Sequence, residues 1–118
     1  MMDRNPDAVF EAAIRMLLVQ RSLVITFTPD TSVRIKFPIT RELAAFVDLP
    51  HYLVLRFFAM MESEDLVMRV ERVGIVTTNK GSRKAFDLLD QKYRKEAEGI
   101  LGPAIFHDLL TRCREADT

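Results

Sequence analysis

Tryptophan is absent, cysteine occurs once, glycine only four times, and the 17 Lys and Arg residues are matched by 17 Asp and Glu, leaving a net charge of zero. Each scarcity excludes something. A lone Cys113 cannot form an internal disulfide, so the fold must hold without one. Zero net charge removes the chain-wide basic field that many nucleic-acid binders carry, so any such role must rest on local charge. No apolar run approaches the roughly 20 residues needed to cross a bilayer. Acids at Asp3, Asp7 and Glu11 break the charge layout of a secretion signal, and a reducing cytoplasm is the expected compartment. Of two histidines, His51 and His107, the second lies six residues before Cys113, a separation that puts them on different sides of a helix; no metal site is expected. There is no phosphate-cradling glycine pattern, and no serine or cysteine has a recognisable base nearby. Asp87, Asp90, Glu96 and Glu98 read as a solvated helix face. The expectation is a protein that is not an enzyme and needs no cofactor.

What is present is an ordinary globular composition, 48% hydrophobic and 29% charged over 118 residues, enough for one domain spanning 1–118 with a real core. Asn5-Pro6 reads as a cap followed by proline in a first turn, opening a helix with Val9, Phe10, Ala13, Ile14, Leu17 and Leu18 on one face and ending near Gln20. Residues 23–27 and 33–37 alternate in strand fashion around Pro29-Asp30-Thr31-Ser32 and predict a hairpin. Pro38 stops the second strand, and Thr40 is predicted to cap the next helix. Further on, Phe86, Leu89 and Tyr93 share a face of a helix predicted over 82–98. After a break at 99–103, Ile105, Phe106, Leu109, Leu110 and Cys113 share a face of another over 103–115.

Residues 40–86 carry the most information. Leu43, Phe46, Val47, Leu49, Val54, Phe58 and Met61 fall where two steeply crossing helices would pack their inward side chains. Two short strands, 66–70 and 73–77, follow around a tight turn at Glu71-Arg72. Arg69, Arg72, Lys80, Arg83 and Lys84 stand against a single acid, Glu71, making a local basic stretch on a neutral chain.

Thr40-Arg41-Glu42-Leu43-Ala44, Asp48-Leu49-Pro50, the set Val54, Arg56, Phe58 and Met61, and the run from Gly74 through Thr78-Asn79-Lys80-Gly81 occur in an order and at separations that resemble winged helix-turn-helix regulators of the MarR and PadR-like groups. The resemblance covers about 45 residues. It implies an α+β, mainly α fold: a helix-turn-helix and wing over 40–86, an N-terminal helix, an extra β-hairpin and C-terminal dimerisation helices. It also implies a homodimeric, sequence-specific regulator of transcription bound to double-stranded DNA. Thr40, Arg41, His51, Tyr52, Leu55 and Arg56 would then face the major groove, and Arg69, Arg72 and Lys80 the flanking phosphates or minor groove.

The second helix departs from the group's pattern. His51, Tyr52, Leu53, Leu55 and Ala59 stand where such regulators carry mostly polar readers. Leu53, Leu55 and Phe57 cannot all join the stripe formed by Val54, Phe58 and Met61, because a helix buries one face. They would cover another part of the chain, touch thymine methyls, or meet a protein partner, which makes a winged-helix interaction adaptor the alternative function. The terminal helices offer more apolar surface than a short winged helix can cover, and dimerisation is expected to bury it.

Overall fold

The computed structural model describes residues 4–116. Six helices and two small antiparallel sheets make a compact α+β, mainly helical molecule with a radius of gyration of 13.5 Å. The chain opens with helix α1 (Pro6–Val19), where Asn5 accepts the Ala8 N–H at 2.8 Å and Pro6 occupies the first turn. Eight of its 14 residues are buried, among them Phe10 and Ile14, so α1 runs through the core. It ends where Arg21 turns left-handed (φ 50°) and the N–H groups of Arg21 and Ser22 return to the carbonyls of Leu18 and Leu17.

Strands β1 (Ile25–Phe27) and β2 (Val33–Ile35) pair with Phe27 opposite Val33. Their turn is tied by Asp30, which accepts the Ser32 N–H at 3.1 Å and the Thr28 hydroxyl; that hydroxyl bond, ahead of the Ser32 contacts, pulls its carboxyl down to about 2. The extra hairpin does not stand apart from the second sheet. The chain beyond β2 continues beside the second sheet: Lys36 bridges Val76, and the Phe37 N–H donates to the Ile75 carbonyl at 2.9 Å.

Helix α2 (Thr40–Val47) and helix α3 (His51–Ser63) follow, and the chain turns by 115° between them. Asp48 makes the turn possible in the left-handed conformation (φ 55°, ψ 48°), and half-buried Leu49 packs on the core beneath it. Thr40, expected as the cap of α2, is its first helical residue instead; Ile39 holds the cap position without a side-chain bond. The core of this unit is Leu43, Val54, Phe58 and Met61, with Phe37 stacked between Phe10 (5.2 Å) and Phe58 (5.8 Å, edge-on). Phe37 thus joins α1, the strand and α3.

Asp65 (φ 61°) ends α3 and starts the hairpin of β3 (Val67–Val70) and β4 (Gly74–Thr77), whose tip carries Glu71 and left-handed Arg72 (φ 67°). A buried relay connects this hairpin to β2. The Ile35 N–H donates to Thr77 Oγ1 (2.9 Å), Thr77 to Ser82 Oγ (2.6 Å), and Ser82 to the Val33 carbonyl (2.6 Å). Hydroxyls therefore satisfy the β2 backbone where strand pairing with β4 stops.

Helix α4 (Asn79–Lys92) begins at Thr78, which accepts the Gly81 N–H at 3.0 Å and donates to the Asp65 carbonyl. The helix expected over 82–98 is two helices. Tyr93 leaves helical geometry (φ −131°), and its hydroxyl donates to Glu11 on α1 at 2.8 Å; α5 (Arg94–Leu101) then starts afresh. Gly102 (φ 86°) separates α5 from α6 (Pro103–Ala116). Helix α6 folds back on its own chain. Phe106, Leu109, Leu110 and Cys113 are buried, Phe106 lies 6.1 Å from Phe86, and Arg114 binds Asp87 (2.9 Å) and Asp90 (3.4 Å) on α4. Of the face expected on α6, Phe106, Leu109, Leu110 and Cys113 are thus covered within one copy, while Ile105 stays exposed.

Among the described residues no single helix is long and apolar enough to cross a membrane.

Candidate nucleic-acid interface

The face of α3 opposite its core stripe begins with residues that sit one turn apart. Val54, Phe57, Phe58 and Met61 follow an i, i+3, i+4, i+7 spacing and are buried, so Tyr52, Arg56 and Ala59 lie on the other side with Leu55 and Met60 at its margins. Tyr52 is 71% exposed, Met60 44% and Leu55 39%. Of the three apolar residues expected outside the core stripe, Phe57 is only 6% exposed and Leu53 is half-buried against the core, so the chain itself covers them; the apolar excess of α3 is therefore Tyr52, Leu55 and Met60. The i, i+4, i+8 spacing of Tyr52, Arg56 and Met60 was legible in the sequence, but Met61 next to it drew the inward assignment.

Thr40 and His51 meet. Thr40 Oγ1 and His51 Nε2 lie 2.9 Å apart in a hydrogen bond that ties the first residue of α2 to the first residue of α3. Both are half-buried, and the bond fixes the angle at which the two helices present their N-terminal turns. Arg41 is exposed beside it.

Ion pairing separates two kinds of cation in this molecule. Lys84 is held by Asp7 (2.6 Å), Lys92 by Glu11 (3.0 Å), Arg94 by Glu98 (2.8 Å), Arg112 by Asp108 (2.9 Å) and Arg114 by Asp87 (2.9 Å). Among the described residues Arg41, Arg56 and Arg72 have no carboxylate within ion-pair distance. They sit on α2, on the outer side of α3 and at the tip of the β3–β4 hairpin, although Glu42 and Glu71 accompany them in sequence.

No family model, no curated protein and no solved structure matches this chain.

Arg69 and Lys80 behave differently from Arg72. Arg69 leans from β3 to Glu62 on α3 at 3.4 Å, a partly solvated pair that ties up its charge. Lys80 lies past the base of the hairpin, about 10 Å of strand from the tip, and donates to the Glu64 carbonyl at 3.0 Å. It lines an open groove of about 740 Å³ between α1 and α4, together with Asp7, Glu11 and Lys84. The basic stretch from Arg69 to Lys84 is therefore spread over a hairpin and a helix and does not form one patch.

Cys113 is buried beneath α4, and burial, with Asp87 adding to it, pushes its thiol up to about 12. No thiolate is available there for nucleophilic chemistry. No group of His, Cys, Asp and Glu among the described residues could hold a metal ion.

Proposed function

We propose that residues 40–86 form a winged helix-turn-helix and that the protein is a sequence-specific regulator of transcription binding double-stranded DNA. The observation that carries this is where three arginines without acidic partners sit: Arg41, Arg56 and Arg72 lie on the two crossing helices and the hairpin tip, whereas Lys84, Lys92, Arg94 and Arg114 on the terminal helices are paired; among the described residues Arg21, Lys36 and Lys95 also lack a carboxylate. Phosphates can neutralise such charges without breaking existing pairs. The order of strand, two helices at 115° and paired hairpin also supports it, because α3 then stands clear of the core along its outer side.

Assembly as a homodimer, with two copies of α3 addressing a pseudo-palindromic site, belongs to the proposal on the MarR-like resemblance alone, since Phe106, Leu109, Leu110 and Cys113 of α6 are buried within one copy. Selection of genomic fragments at moderate salt should enrich one site. Arg56→Ala should relax its sequence preference. Recovery of no enriched site would sink the proposal.

The exposed Tyr52, Leu55 and Met60 favour a second function, an adaptor that docks another protein on α3. It expects no enriched DNA site and a partner whose affinity falls on Leu55→Ala.

A further inference from the structure

Resting on the DNA-binding proposal above, we infer that α3 reads thymine methyl groups flanking a single guanine. Its outer side offers a major groove one cation and otherwise mostly carbon. Arg56 is the only charged residue among Tyr52, Leu55, Arg56, Ala59 and Met60, and its fork matches guanine O6 and N7. From Tyr52 to Met60 the helix rises about 12 Å. At 3.4 Å per base pair that length passes three to four pairs, so side chains on either side of Arg56 face the neighbouring base edges.

Those neighbours are Leu55, Ala59 and Met60, which have no group able to donate or accept a strong hydrogen bond. Pressed against a G·C edge they would strip water from polar atoms and return nothing, a costly arrangement. The C5-methyl of thymine is the one apolar feature the major groove displays. Leu55 and Met60 keep 39% and 44% of their surface exposed, Met60 beside the start of α1, whereas Val54, Phe58 and Met61 on the same helix are fully buried. Arg41 on α2 and Arg72 at the hairpin tip, without carboxylate partners, supply the complementary charge for the backbone of that same duplex.

The test uses the enriched duplex and a copy in which uracil replaces thymine, which removes only the methyl groups and keeps base pairing. Wild-type protein should bind the uracil duplex about fourfold more weakly for each contacted methyl. Leu55→Ala should lose the part of that penalty arising at its own base pair. Arg56→Ala should keep the penalty while losing preference for guanine. Equal affinity for thymine and uracil duplexes would overturn this inference and leave DNA binding standing, as would a penalty unchanged in Leu55→Ala, Tyr52→Ala and Met60→Ala alike. If no duplex is preferred, or a protein occupies α3 in its place, the DNA-binding proposal fails and the inference with it. Unchanged thermal melting of the three variants, all altered at exposed positions, separates lost contacts from lost folding.

Discussion

Gly81 is placed by a close approach. A Cβ added there would stand 1.8 Å from the Leu66 carbonyl oxygen, a backbone atom held by the Thr78 N–H at 3.1 Å. Gly81→Ala should therefore push α4 away from the end of α3 and lower stability by about 1–3 kcal/mol, measured by denaturant unfolding. Glu11 is a second single-residue case. The Tyr93 hydroxyl bond, first among the causes and joined by Lys92 against the opposing effect of burial, holds its carboxyl below the ordinary 4.5. Its folded value is lowered, so the stability it adds is present above about pH 4.5 and is lost as pH falls through the folded value. Tyr93→Phe should raise the Glu11 titration midpoint seen by NMR and reduce the loss of stability between neutral and acid pH. An unchanged midpoint would show that the hydroxyl bond is not responsible.

At the scale of elements, α1, α3 and the two hairpins could be read closely in advance because their signals are local. Asn5-Pro6 caps α1, Asp48 and Asp65 tolerate the left-handed turns before and after α3, and Thr78 opens α4. The division of α4 from α5 had no such signal. Phe86, Leu89 and Tyr93 keep helical spacing straight through the break, with no glycine or proline to mark it, and the cause is a contact from Tyr93 to a residue 82 positions earlier. Helix α6 was legible in its bounds and its stripe, but an apolar stripe says that a face is buried and is silent about what buries it. Phe106→Ala should cost about 3–5 kcal/mol, and the loss in melting temperature should not vary with protein concentration. A concentration-dependent loss would mean that a second copy completes this core.

For the whole molecule, a neutral chain presents local positive charge where its cations stand away from carboxylates. Arg69 and Arg72 lie three residues apart on one hairpin, yet one reaches Glu62 and the other reaches nothing. Arg72→Ala should weaken binding to all duplexes and flatten the dependence of affinity on salt by roughly one phosphate contact, while Arg69→Ala should do so less. Equal effects would mean that Arg69 leaves Glu62 when DNA is bound.

The amino-acid sequence by itself determined the helix pair, its turn at Asp48, the hairpin of β3 and β4, and the outward place of Arg56, because helical periodicity, left-handed turn residues and β-branched alternation act within a few positions along the chain. Only the tertiary structure decided that Phe57 is buried, that β2 is tied to β4 through Thr77 and Ser82, that Lys80 belongs to a groove against α1, and that α6 closes on α4. Each of these depends on which distant surface meets an element. Lys80 shows the limit: its charge is plain in the sequence, but the carbonyl of Glu64, 16 residues away, sets where that charge sits.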